Sequence, residues 1–211
     1  MKAVIFDLDN CLSPVDQFGP ELFEAAFAAI RAANDGSVPQ DQLAESFVAH
    51  SRHSFDWIAN RYRYTPAMYE AGSKAWSQTE VTSKVVGYED LPLLEQVPGD
   101  RFLVTTGFRR LQESKIAALD IAQHFAAVVI DGLEDRPRRD KRSRFQEIMA
   151  IRNLRPADVL IVGDSHEGEL TAAKSLGIRS VQTLRPRVAR SDIASFYVSG
   201  LSELIDVMRS L

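Results

Sequence analysis

The sequence predicts an α/β protein of the doubly wound kind, a parallel sheet with helices on both faces, carrying an all-helical insertion. Three observations predict it. Short, almost continuous apolar runs recur along the chain, amphipathic helical patterns fall between them, and one long segment has helical patterns but no strand.

The apolar runs are Ala3–Phe6, Phe102–Val104, Ala126–Ile130, Val159–Val162 and Arg179–Leu184. Runs this short and this apolar suit strands buried on both faces. Between them the helical patterns are Arg110–Leu119, Arg142–Arg152 with Phe145, Ile148 and Met149 on one face, and Glu167–Leu176, which stops at Gly177. Strand and helix alternating in this way predict a Rossmann-like sheet.

Residues 14–86 break the alternation and are read as a helical cap domain, leaving 1–13 and 87–211 as the α/β core domain. In the cap, Leu22, Phe23, Ala26, Phe27 and Ile30 recur at helical spacing before the stop signal Asn34-Asp35-Gly36. A further helix is expected after Ser37, with Ser37 as cap and Gln40 reaching back to complete a capping box. Thr65-Pro66 opens another, with Thr65 as cap and Pro66 in the first turn. Phe27, Phe47, Trp57, Met68 and Trp76 are read as the core of a small bundle.

Composition narrows the class. With 211 residues, 45% hydrophobic and 26% charged, the chain has material for a core and a smaller lobe. A single cysteine, Cys11, excludes an internal disulfide or a cysteine-based zinc cage and suits a reducing compartment. No apolar run is long enough for a signal peptide or a bilayer span, so the expectation is a cytoplasmic protein without a membrane partner. A net charge of -4 argues against a nucleic-acid partner. The basic stretch Arg136, Arg138, Arg139, Lys141, Arg142 and Arg144 is read as a solvated loop entering a helix, Lys141 excepted.

Chemistry begins at Asp7 and Asp9. They follow the first apolar run, and in extended chain residues two apart share a side, so both carboxylates are expected at the carboxyl end of a central strand. Open α/β sheets place their ligands there. Two nearby carboxylates repel, which favours a cation between them or a retained proton.

A bare Asp-x-Asp is common on surfaces, and three later sites give this one its meaning. The second run leads into Thr105-Thr106-Gly107, a hydroxyl and backbone N–H groups suited to phosphate oxygens. Lys141 opens a helix, where the dipole disfavours a cation, so an acidic or phosphorylated partner explains it better than helix stability. The fourth run leads into Gly163-Asp164 and then Glu169, hard oxygen ligands that suit magnesium.

Asp7-x-Asp9, Thr105, Lys141 and Gly163-Asp164-x4-Glu169, in that order at strand ends, resemble the four motifs of the haloacid dehalogenase-like hydrolase superfamily over nearly the whole chain. The resemblance implies that Asp7 attacks phosphorus and becomes an aspartyl phosphate, while Asp9 serves as general acid and then general base. It implies magnesium (Mg2+) held by the side chains of Asp7 and Asp164 and the backbone carbonyl of Asp9. Thr105, with the N–H groups of Thr106 and Gly107, would bind the phosphate oxygens, and Lys141 would neutralise them and steady Asp7. Glu169 stands where the family usually has aspartate, and its role is expected to be orienting a metal-bound water or Lys141. Cys11 departs from the threonine or valine commoner in the family and is read as a small buried side chain.

The expected activity is therefore a magnesium-dependent phosphatase acting on a small phosphorylated metabolite. Asn10 after Asp9 is similar to the nucleotidase-like branch, which makes a nucleoside monophosphate the first candidate. A phosphomutase shares all four motifs. Haloacid dehalogenases work without a second aspartate, so Asp9 argues against that chemistry, and receiver-like signalling domains lack an insertion of this size.

Overall fold

The structure, a computed structural model, describes residues 1–211. Six strands form one parallel sheet: β1 (Ala3–Phe6), β2 (Asp100–Gly107), β3 (Ala127–Gly132), β4 (Val159–Gly163), β5 (Arg179–Thr183) and β6 (Phe196–Val198). Their order is β3-β2-β1-β4-β5-β6. β1 is thus central, with Ile5 opposite Phe102 on one side and Ile161 on the other. The α/β, Rossmann-like class is the one the sequence predicts.

Both faces of the sheet are covered. Ala3 and Ile5 point into one layer with Val104, Phe145, Ile148 and Ile161, while Val4 and Phe6 point into the other with Leu103, Leu160, Val162 and Leu204. All four residues of β1 are buried, which is why its sequence shows no polar alternation. The covering helices are α5 (Arg109–Leu119), α6 (Lys141–Ile151), α7 (Thr171–Ser175) and α8 (Leu201–Arg209).

Two elements depart from the sequence reading. β6 is a three-residue edge strand, too short and too little buried to show as an apolar run. The expected helix 167–176 is α-helical only from Thr171, because His166–Leu170 forms a wide turn in which Gly168 leaves helical geometry (φ -87°, ψ -109°).

Between β1 and β2 lie α1 (Glu24–Ala33), α2 (Gln40–Ala49), α3 (Phe55–Arg61) and α4 (Pro66–Trp76). Phe23, Phe27, Ile30, Met68 and Trp76 form their core, which continues onto Phe108, Leu111 and Leu133 and so seats these helices over the ends of β2 and β3. Thr65 caps α4, accepting from Met68 N at 3.3 Å. Ser37 does not cap α2. Its hydroxyl donates instead to Asp35 within the preceding turn, and Pro39 takes the cap position without a side-chain bond.

Trp57 also corrects the sequence reading. Phe55 and Ile58 take the inward positions of α3, and Trp57 lies outside the bundle core, stacked on His53 with ring centroids 3.7 Å apart. No helix is long and apolar enough to cross a membrane.

Candidate active site

One residue past β1, Asp7 N still donates to Val162 O at 2.9 Å, extending the ladder to β4. The chain then turns tightly: Leu12 N and Ser13 N both donate to Leu8 O, and Asn10 sits at φ 55°, a left-handed conformation asparagine tolerates. Asp7 is therefore held at the centre of the sheet and Asp9 inside the turn. The two carboxylates find different partners.

Asp7 faces Lys141, the first residue of α6. Asp140 caps that helix, accepting from Ser143 N at 2.8 Å, and this fixes where the lysine emerges. Lys141 Nζ donates to Asp7 Oδ1 at 2.8 Å and to Glu169 Oε2 at 2.7 Å. Carboxylate oxygens of Asp7, Asp164 and Glu169 all lie within 4.8 Å of one another.

Burial, joined by the charges of Glu169 and Asp9, outweighs the pull of Lys141 and raises the Asp7 pKa to about 7. Asp164 is pushed well above the usual carboxylate range by burial and then by Glu169 and Asp7. Burial by itself would depress Lys141, but Asp7 and Glu169 prevail and hold it above its ordinary value.

Asp9 turns towards α5. Lys115 Nζ donates to both its oxygens, at 2.9 and 3.0 Å, and Gln112 Nε2 donates to Oδ2 at 3.1 Å. The same amide donates to Thr105 Oγ1 at 3.1 Å and Thr106 O at 2.9 Å. Four carboxylates, Asp7, Asp9, Asp164 and Glu169, thus face two ammonium groups, Lys115 and Lys141. The surplus of negative charge and the hard oxygen donors fit a divalent cation of the magnesium type.

At the end of β2 the Thr105 hydroxyl is buried, and the Thr106 hydroxyl donates to Asp131 Oδ2 at 3.0 Å. Asp131 also accepts from Arg138 Nη1 at 2.6 Å, and Arg138 Nε reaches across to Asp56 Oδ2 on α3 at 3.1 Å. Arg138 therefore ties the helical layer to the sheet and is not merely solvated. Arg144 departs in the same way, largely buried and donating to Asp135 Oδ2 at 2.8 Å. Cys11 is fully buried, its Sγ 3.7 Å from Val162 O, and burial followed by the nearby Asp7 raises its thiol pKa well above the ordinary value.

Lys115, Gln112, Asp131 and Arg138 were not among the expected site residues. Their signal is faint but present in α5, whose buried face comprises Leu111, Gln112, Lys115 and Ile116. Two long polar side chains on an inward face need partners inside.

A cleft of about 580 Å³ lies between the strand ends and the helical layer, a size suited to a small molecule. Asp7, Thr105, Lys141 and Asp164 line its floor, and His53 and Trp57 line the opposite wall.

A sequence model of haloacid dehalogenase-like hydrolases matches residues 1–177, a span holding every one of these carboxylates and both lysines. The chain belongs to this family. It is an enzyme of the hydrolase class. Among curated relatives, it is similar to the glyceraldehyde 3-phosphate phosphatase of Pyrococcus furiosus, at 22% identity over 99% of this chain and 93% of that one. It is likewise similar to the N-acylneuraminate-9-phosphatase of Homo sapiens, at 26% identity over 100% of this chain and 95% of that one.

Solved structures of the family share its fold. The HAD-hydrolase YfnB of Bacillus subtilis, bound to magnesium, superposes with a TM-score of 0.63 at 13% identity, covering 98% of each chain. CbbY of Rhodobacter sphaeroides, in complex with phosphate, gives 0.66 at 17% identity over 96% of each chain.

Proposed function

We propose that this hydrolase is a magnesium-dependent phosphatase that cleaves a small phosphate monoester through an aspartyl phosphate on Asp7. The observation that carries the reading is the position of Asp7, buried at the end of the central strand with one oxygen on Lys141 and with Asp164 beside it.

Lys141 fixes the carboxylate, leaving its other oxygen for attack on phosphorus and so splitting one difficult displacement into two easier ones. Asp9, once it has left Lys115 and carries a proton, gives that proton to the departing ester oxygen and, as the carboxylate, then deprotonates the water that cleaves the acyl phosphate. Thr105, with the N–H groups of Thr106 and Gly107, binds the equatorial phosphate oxygens, while Glu169 holds Lys141 in place. Asp7, Asp164 and the Asp9 carbonyl would hold magnesium, and its positive charge would let an anionic nucleophile approach an anionic ester.

Residues 14–86 act as a cap over the cleft and choose the substrate. The named substrates of the curated phosphatases favour small phosphorylated metabolites. The stacked His53 and Trp57 rings offer a flat face to a base, which keeps nucleoside monophosphates in the panel.

The test is phosphate release from a panel of sugar phosphates, short phospho-acids and nucleoside monophosphates, with magnesium or with a chelator, for the parent and Asp7→Asn. Turnover is expected only for the parent with magnesium. Activity that survives Asp7→Asn or chelation overturns the reading.

A further inference from the structure

On the phosphatase reading above, Thr106 offers its backbone N–H to phosphate. Its hydroxyl donates to Asp131 Oδ2 at 3.0 Å, so the orientation of this turn depends on where Asp131 stands. Asp131 is 1% exposed, a carboxylate that needs an answer inside the fold. Arg138 supplies it, with Nη1 donating to Oδ1 at 2.6 Å, while Arg144 Nε stays 3.9 Å away.

Arg138 has a second partner on the cap. Its Nε donates to Asp56 Oδ2 at 3.1 Å, and Asp56 Oδ1 accepts from the Tyr69 hydroxyl at 2.7 Å. Two other ion pairs join residues 14–86 to the core, Asp16 with Arg187 and Glu80 with Arg110, and both lie close to the ends of that segment. Asp56 stands in its middle, on α3, and does not line the cleft. Without a cation between them Asp56 and Asp131 would repel, so Arg138 favours one seating of α3. Its bond to Asp131 is buried, whereas the Asp56 pair is about one-third exposed on both sides, weak enough to break and re-form.

We propose that Asp56, Arg138 and Asp131 are positioning residues that couple the seating of α3 to the alignment of the phosphate-binding turn at Thr106. This inference rests on the phosphatase reading. A leaving group that lets α3 seat gains the full set of phosphate contacts, and one that holds α3 away loses part of it. The shape of the leaving group is thereby felt at the phosphate. A rival route runs through the apolar seat of the cap, where the Phe55 ring lies 5.8 Å from that of Phe108, the residue after Gly107.

The experiment is a double-mutant cycle on the affinity for inorganic phosphate, measured by calorimetry with magnesium present. Asp56→Ala removes the cap end of the bridge, and Thr106→Val removes the hydroxyl at the other end while keeping the backbone N–H. Each is expected to weaken phosphate about fivefold, and the pair together about fivefold instead of the about 25-fold of independent sites. Tyr69→Phe, which leaves the bridge in place, should stay within about twofold of the parent. Coupling is reciprocal, so phosphate should slow amide exchange in α3 about fivefold in the parent and less than about twofold in Thr106→Val. Should Asp56→Ala not fold, Asp56→Asn carries the same cycle.

Unchanged phosphate affinity in the Asp56 variant, effects that multiply, or α3 slowing that survives Thr106→Val overturns the coupling, the last assigning it to Phe108. All three leave the phosphatase reading standing where the parent binds phosphate and releases it from esters. A parent that does neither overturns that reading and this inference with it.

Discussion

At the residue scale the reading turns on how each carboxylate is answered. Asp7, moved by burial from an ordinary pKa of 3.8 to about 7, keeps a proton in the folded metal-free protein across a range where the unfolded chain has lost it. The folded state then binds more protons, so this group's contribution to stability falls as pH rises from about 4 to 7. A cation that binds the ionised form offsets that loss, so the rise in melting temperature on adding magnesium should be larger at pH 7 than at pH 5. Thermal melts with magnesium and with chelator at the two pH values measure this, and an equal rise at both would contradict it. Asp7, Thr105 and Asp164 were legible in the sequence because each comes at the end of an apolar run, where such sheets bind, and Lys141 because a lysine that opens a helix needs a reason other than helix stability. Lys115 was not legible, since a lysine on a helix is ordinarily solvated and its partner lies 106 residues away.

At the element scale, α1 and α4 approach closely where Gly72 faces Ile30 and Phe55. A Cβ at Gly72 would lie 2.8 Å from an atom of each side chain. Gly72→Ala gains about 1 kcal/mol of helix propensity but meets an overpacking cost of about 1–3 kcal/mol. A net loss of about 1 kcal/mol in a urea melt is therefore expected, and a gain in stability would show slack between the helices. Element identity was legible wherever burial is uniform, as in β1 and β4. It failed at Ser37, whose hydroxyl found a nearer acceptor in Asp35, and at Gly168, where one residue without helical geometry divides an otherwise regular pattern.

At the scale of the whole molecule, Arg185 joins three distant stretches. Its guanidinium donates to both oxygens of Asp90, at 2.8 and 3.1 Å, to Cys11 O at 3.2 Å and to Ser199 O at 3.0 Å, and lies over the Tyr88 ring. Asp90 in turn accepts from Leu201 N at the start of α8. The turn after Asp9, the chain returning from the helical layer and α8 thus share one cation. Arg185→Met leaves Asp90 and two carbonyls without it and should cost about 3 kcal/mol, read as a lowered denaturant midpoint. An unchanged midpoint would mean that water replaces all of these contacts. Alternation along the chain was enough to give the layers, but neither Arg185 nor the Arg138 bridge follows from it, because each joins segments that only the completed fold brings together.

The central place of β1 has a consequence for how the protein is made. Its neighbours in the sheet begin at Asp100 and Val159, so during synthesis the apolar stretch Ala3–Phe6 emerges long before either edge can be paired. Pairing of this range is slow and leaves a sticky strand open to other chains meanwhile. The strand that leads to Asp7 is therefore translated early and assembled late, its edges exposed until β2 and β4 arrive.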